Sequence, residues 1–236
     1  MKIVPFNRLL LPYQEIWFYD GKPVNERLKN IYYQSLVQPP GHGLSVKEFH
    51  TLVSNLSHQE STLYSSIHST FRYDISKGEK LNPDYAILNL DDNHQLLTYW
   101  RSYNGFARSR NLLLLPKWRL HALANSGGLV VTIIKQDNRV VSLHAYIQDG
   151  VRARLLTSHT EPSPLTPSQL GYYNKYHHWK DILYFKKLNF AWYDWGGVSE
   201  NQLDGRAYFK KSFGGDPQSY YHFITCKNWL RPWLRL

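Results

Sequence analysis

The chain has 236 residues, with 28 Lys and Arg against 18 Asp and Glu for a formal charge of +10. That length supports one large domain that needs no disulfides. Cys226 is the only cysteine, so an intramolecular bridge and a thiolate-rich zinc site are both excluded, and nothing points to an oxidising compartment. No run of 18 apolar residues exists to span a membrane, and LLLPY near the start is too short for a secretory signal. A soluble, cytoplasmic protein is expected. Its dispersed positive charge suits anionic partners: nucleic acid, nucleotide-linked substrates or an anionic membrane surface.

Residues 1–48 read as an irregular extension, with a loop at Pro39, Pro40, Gly41 and Gly43. A single domain is expected over 49–236. EFHTLVSNL (48–56) alternates as a strand does. Ser57 and Glu60 are spaced for a capping box that opens a helix over 58–79. Along it Leu63, Ile67, Phe71 and Ile75 recur every four residues on one face, and Gly78 sits near its end. DYAILNL (84–90) is a short strand. Asp91 or Asp92 then caps a helix bearing Leu96, Leu97, Trp100 and Tyr103, and Pro116 suits the first turn of another that stops at Gly127–Gly128.

Three strands follow closely: 128–134, 139–147 and 151–158, joined by tight turns at Gln136–Asn138 and Asp149–Gly150. They form an antiparallel meander. A helix is predicted from about Ser168 to Lys187, then a strand over 189–195 broken by Gly196–Gly197. Ser199 and Gln202 make a second capping box for a helix through Phe209 and Phe213. Gly214–Gly215 ends that helix, and 219–226 closes the chain's pattern as a strand. A meander inside an otherwise alternating order excludes a doubly wound parallel sheet and points to a mixed α/β (α+β) fold.

The run LGYYNKYHHWKDILYFKKLNFAWYDWGG (170–197) with FKKSFGG (209–215) resembles the Fem-like branch of the GNAT superfamily. The matching positions are Asn174, Lys175 and Tyr176, then His178 and Trp179, then Tyr193 to Gly197, then Phe209, Lys210, Phe213, Gly214 and Gly215. TFRYDISKG (70–78) is similar to an earlier helix end of the same family. The resemblance spans roughly 49–226. It implies the GNAT acyltransferase fold, a mixed sheet with a central antiparallel meander and two splayed parallel strands. It also implies acyl transfer to an amine, from aminoacyl-tRNA or an acyl thioester such as acyl-CoA, with no tightly bound cofactor.

Two departures stand out. Residues 159–174 lack the Gly-containing loop that cradles the CoA pyrophosphate in the acetyl-CoA branch. The tRNA-dependent members generally carry two such domains, and the segment before residue 49 is too short for a second. Three functions are therefore kept open. The first is aminoacyl or acyl transfer to a nucleotide- or lipid-linked cell-envelope or polysaccharide precursor. The second is N-acylation of an amino sugar from acyl-CoA or acyl-carrier protein. The third is a non-catalytic RNA-binding module.

By resemblance, the splayed strands are 151–158 and 189–195, with substrates meeting near Leu156–Ser158 and Tyr193–Gly197. Lys210 is expected to stabilise the negative charge that grows during transfer, as a fixed ammonium does; beside Lys211 it also reads as a solvated helix lysine. Asp194 is a candidate base or amine ligand, or a cap on the turn that follows. Asn174, Lys175 and His178, with Gly196, Gly197, Gly214 and Gly215, are candidates for donor binding. Asn174 and His178, four apart, share a helix face. Arg72 and Lys77 are candidates for gripping an acceptor phosphate, or a surface pair with Asp74 or Glu79. His144, mid-strand beside Tyr146, reads as a buried, hydrogen-bonded histidine or, less commonly, a catalytic one. No metal-ligand spacing is present.

Overall fold

Ten strands form one continuous sheet in the computed structural model, which describes residues 1–8, 11–26, 28–39, 44–198 and 205–225. The strands are β1 (Lys2–Arg8), β2 (Leu11–Trp17), β3 (Lys29–Ser35), β4 (Leu44–Asn55), β5 (Asp84–Ile87), β6 (Leu129–Gln136), β7 (Arg139–Gln148), β8 (Arg152–Thr160), β9 (Trp192–Gly197) and β10 (Asp216–Thr225). Their order across the sheet is β1-β2-β3-β10-β4-β9-β8-β7-β6-β5. Only β2–β3 and β8–β9 pair in parallel; the other neighbours are antiparallel. The helices are α1 (Glu60–Ser66), α2 (Ser69–Lys80), α3 (Asn93–Ser109), α4 (Lys117–Asn125), α5 (Pro167–Lys187) and α6 (Gly205–Ser212).

The meander β6–β7–β8 forms as its alternation predicts. Asp137 and Asn138 both take positive φ, at 50° and 61°, the conformation a tight hairpin turn requires. The second turn falls one residue later than expected. The Asp149 amide pairs with the Arg152 carbonyl, so Gly150, at φ 85°, and Val151 make the corner.

Two apolar clusters lie on opposite faces of the sheet. One joins Leu63 of α1, Phe71 and Ile75 of α2, Tyr173, Trp179, Ile182 and Phe185 of α5 and Phe213 just past α6 to strand residues such as Ala153, Leu155 and Trp195. The other joins Leu96 and Tyr99 of α3 and Leu120 and Leu123 of α4 to Val131, Ala145, Val4 and Trp17.

The described residues of 1–48 are not irregular. They supply three full strands and the start of β4, and they extend the same sheet. Pro5 is tolerated because β1 pairs on one side only, and Pro12 precedes Tyr13, where pairing with β3 begins. These strands also curl back over the sheet. Trp17 and Phe18 lie over the guanidiniums of Arg154 and Arg152 on β8, although four strands separate β2 from β8 in pairing order.

The single helix expected over 58–79 is two helices. Gln59, not Ser57, is the N-cap of α1, and the Ser57 amide instead donates to Asn55 Oδ1 at 3.0 Å. The break at Ile67–His68 lets the His68 amide donate to the Ser212 carbonyl at 2.8 Å, tying α2 to the end of α6. Asp92 caps α3, accepting from the His94 amide, and Pro116 is the N-cap of α4 rather than part of its first turn. The Ser199–Gln202 capping box, Cys226 and the loop residues Pro40, Gly41 and Gly43 lie outside the described residues. Among the described residues no helix is long and apolar enough to cross a membrane.

Candidate active site

The parallel strands β8 and β9 pair only where Arg152–Arg154 meet Trp192–Asp194. Beyond that point they diverge, so the β9-facing backbone of Leu155–Thr160 has no strand partner among the described residues. On its other side β8 carries a bulge: Ala145 pairs with Thr157 and Tyr146 with Leu155, leaving Leu156 without a partner on β7. A bulge adds twist and re-aims the strand, and here it sits at the opening of the gap.

The gap leads into a cavity of about 530 Å³, lined by β8 from Arg154 to Ser158, by Trp195–Gly197 of β9, by Asn174 and His178 of α5, and by Gly205, Arg206, Phe209 and Lys210 of α6. Among the described residues its charged lining side chains are Arg154, Arg206 and Lys210. Gly196 is required where β9 turns. Its φ is 68°, and a Cβ there would lie 2.7 Å from the Leu155 carbonyl oxygen. Lys210 Nζ donates to the Gly197 carbonyl at 2.7 Å, which sets the ammonium at the open end of the gap.

Asn174 and His178, one turn apart on α5, face Ser158 from across the gap, each at 3.5 Å from its hydroxyl. Behind them runs a buried polar network. His178 Nδ1 lies 3.1 Å from the Tyr193 hydroxyl, which lies 2.9 Å from that of Tyr146. Tyr146 donates to Asp181 at 2.6 Å, Tyr85 donates to the same carboxylate at 2.9 Å, and His144 Nδ1 lies 2.6 Å from it. His144 Nε2 reaches Asn174 at 3.2 Å, which closes the circuit at the cavity wall.

Burial, reinforced by Asp181, pushes the phenols of Tyr146 and Tyr193 up, so both stay protonated. Burial, with His144 and Lys210 nearby, pushes His178 well down, so the imidazole at the wall is neutral. His177 is pushed down likewise, by burial first and neighbouring histidines second. His144, His177 and Asp181 present ligand atoms within 4.8 Å of one another and are the group that would hold an ion. Their donor atoms are engaged with one another and with Thr132 and Ser142, and the two rings stack at 3.7 Å.

Of the residues singled out from the sequence, Asn174, His178, Gly196, Gly197 and Lys210 meet in this one cavity. Asp194 lies directly behind it, fully buried. It accepts from Gln34 at 2.7 Å, from Thr51 at 2.7 Å and from the Gly196 amide at 2.8 Å. Lys175 is turned away, paired with Asp74 at 3.0 Å and set over the Phe71 ring. Gly214 and Gly215, at φ 81° and 102°, turn the chain tightly against Ser66 and Val53. Arg72 donates to the Ser65 carbonyl at 2.9 Å instead of pairing with Asp74, and Lys77 lies over the Tyr73 ring. Neither lines the cavity.

Arg154 escapes sequence reading, although two arginines alternating with apolar residues in a strand were the available signal. Its guanidinium lies between the rings of Trp17 and Phe49, at 5.3 and 5.2 Å from their centroids. Burial pulls its pKa down, opposed by the charge of Asp194.

The start of α5 bears on the donor. Thr166 and Gln169 form a reciprocal capping box, and Pro167 occupies the first turn. The Thr166 and Gln169 amides are consumed within the box and Pro167 has none to offer, so the helix start is poor in the free N–H groups that bind a pyrophosphate.

No protein-family model and no curated protein sequence matches the chain. Solved structures do. FemX matches with a TM-score of 0.61 at 11% identity, over 78% of this chain and 63% of that one. L-PGS from Bacillus licheniformis matches with a TM-score of 0.57 at 9% identity, over 85% and 68%. The C-terminal domain of an Agrobacterium fabrum protein assigned as a lysylphosphatidylglycerol synthetase matches with a TM-score of 0.55 at 9% identity, over 84% and 68%. The chain thus spans less than two thirds of the length of FemX. With its central meander and its parted parallel pair, the chain shares the mixed α/β fold of FemX and L-PGS.

Proposed function

We propose that this protein transfers an acyl group, and in the favoured reading an aminoacyl group from aminoacyl-tRNA, to an amine on a cell-envelope or polysaccharide precursor. The observation that carries this reading is the parting of β8 from β9 over a cavity whose open end holds the Lys210 ammonium. A donor ester lying in the gap finds unpaired β8 backbone on one side and that ammonium on the other. The neutral acceptor amine attacks the ester carbonyl. As the C–N bond forms, negative charge collects on the carbonyl oxygen, where preplaced donors act most strongly. The C–O bond to the ribose then breaks, and the departing oxygen takes up the proton the nitrogen sheds.

Asn174 and His178 contribute neutral hydrogen-bonding groups that orient the reactants. Asp194 acts as a positioning residue: by gripping the Gly196 amide it holds the end of β9 where it parts from β8. The choice of donor rests on two observations. Arg154, Arg206 and Lys210 line the cavity among the described residues, which supports a polyanionic donor. The capping box at α5 occupies the amides that a CoA pyrophosphate would use.

The test is a transfer assay with labelled aminoacyl-tRNA and labelled acyl-CoA offered separately, with amino-sugar and peptide amines as acceptors. Amine-dependent consumption of the aminoacyl ester is expected, and Lys210→Met is expected to reduce it about 10²–10³-fold with unchanged thermal unfolding. Consumption of acyl-CoA alone would move the reading to an acyl-CoA N-acyltransferase. RNA binding without transfer would remove catalysis altogether.

A further inference from the structure

The chain from Asn93 to Gln136 contains no Asp or Glu, and it carries α3, α4 and the connection between them. In that connection Leu112, Leu113 and Leu114 are 43%, 90% and 47% exposed, and Trp118 in the first turn of α4 is 40% exposed. A single exposed leucine is ordinary; three in succession beside a tryptophan form a patch that water does not favour.

The connection is held in place. Trp100 and Asn104 donate to the Leu115 carbonyl at 2.6 and 3.1 Å, and Asn104 accepts from the Leu115 amide at 2.8 Å. Tyr103 donates to the Leu113 carbonyl at 3.0 Å, and the Leu112 amide donates to Ala107 at 2.8 Å. Side chains of α3 therefore satisfy much of the loop's backbone and fix it with its leucines outward. Arg108 and Arg110 on one side and Lys117 on the other are exposed and flank the leucines in sequence.

We infer that this connection docks the protein on an anionic lipid bilayer, the leucines and Trp118 entering the interface while the flanking cations meet the headgroups. Rings at the headgroup level, aliphatic side chains below and basic residues at the rim are what such a surface selects. Three adjacent leucines beside a single ring offer RNA bases little to stack on, so the patch fits a lipid surface better than a nucleic acid. Leu112 and Phe106 also line the cavity, so docking would bring its mouth to the lipid surface. This inference does not depend on the transfer chemistry.

The experiment sediments the purified chain, without donor or acceptor, with vesicles of phosphatidylcholine alone or mixed with phosphatidylserine. Binding to the mixed vesicles is expected, with weak binding to phosphatidylcholine. The double variant Leu113→Ser with Leu114→Ser, at positions outside the cavity, is expected to lose at least about tenfold in partitioning while thermal unfolding stays unchanged. Absence of wild-type binding, or binding that the double variant retains in full, would overturn the proposal. A wild-type dimer that the double variant converts to monomer would also overturn it, because the leucines would then belong to a contact between copies.

Discussion

The two faces of the sheet differ in how completely they satisfy buried polar groups. On the face covered by α5, the polar side chains of β7 and β9 find partners: Asp181 takes Tyr85, Tyr146 and His144, while Ser142 and Thr132 take His177. On the other face, Gln34 Oε1, Arg152 Nη1, Arg154 Nε, His159 Nδ1 and His222 Nε2 are buried with no hydrogen-bond partner among the described residues. The difference follows from what covers each face. A helix crossing strands offers a polar side chain at every turn. The opposite face is closed partly by aromatic rings from β2 and β4, which accept a guanidinium only through their π-faces. One face is a satisfied frame, and the other satisfies Asp194 and Glu15 but leaves polar atoms of Arg152 and Arg154 unpaired among the described residues. A satisfied network resists change, whereas an unsatisfied one loses little when altered.

The largest test of that contrast is Asp181→Ala. It leaves the Tyr85 and Tyr146 hydroxyls and His144 Nδ1 without their buried acceptor, and the expected loss is about 3–5 kcal/mol in chemical denaturation. A loss below about 1 kcal/mol would mean the network is not structural.

Much of this arrangement was legible because it is written locally. Alternation and tight-turn residues mark the β6–β8 meander, and the glycines after Asp194 mark where β9 ends. The residues matching the Fem-like pattern on α5, β9 and α6 converge on one cavity. What stayed hidden depends on distant partners. β3 pairs with β10, close to two hundred residues later in the chain, so no local pattern announces it, and prolines at 5 and 12 read as breakers. The stripe Leu63, Ile67, Phe71 and Ile75 is buried as predicted, yet periodicity does not register the backbone break at Ile67–His68. Arg154 goes unread because the rings that cover it, Trp17 and Phe49, come from β2 and β4, distant in sequence.

Acid probes the second face through His159, while His177 and His178 on the first, also pushed down by burial, add a loss of the same sign. Burial first, and His144 second, pushes His159 down to about 4. The folded chain therefore keeps this ring neutral, whereas the unfolded chain protonates it near the ordinary value of about 6.5. The stabilisation is complete above about pH 6.5 and is lost as pH falls toward 4, because the unfolded state binds the extra proton. Going from about pH 7 to about pH 5 costs about 2 kcal/mol from His159. His222, also pushed to about 4 by burial and by Arg154, adds a smaller loss of the same sign because it is partly exposed. Denaturation of the wild type and of His159→Gln at both pH values measures this. An equal acid loss in both would show that His159 titrates normally.

Arg154→Met should give the smallest change in stability and the clearest contrast with Asp181. The guanidinium makes no direct ion pair with Asp194 among the described residues, and that carboxylate keeps its bonds from Gln34, Thr51 and the Gly196 amide. Removing Arg154 forfeits two ring contacts but also removes a buried charge with an unpaired Nε. These effects oppose each other, and the net change is expected to stay within about 1 kcal/mol. Binding should respond where folding does not: losing one of the three cations that line the cavity among the described residues is expected to weaken an anionic donor about tenfold, with a smaller penalty at high salt. Calorimetric denaturation and a donor titration at two ionic strengths read the two effects separately. A stability loss matching that of Asp181→Ala would show that Arg154 belongs to the frame, and the distinction between the two faces would fail.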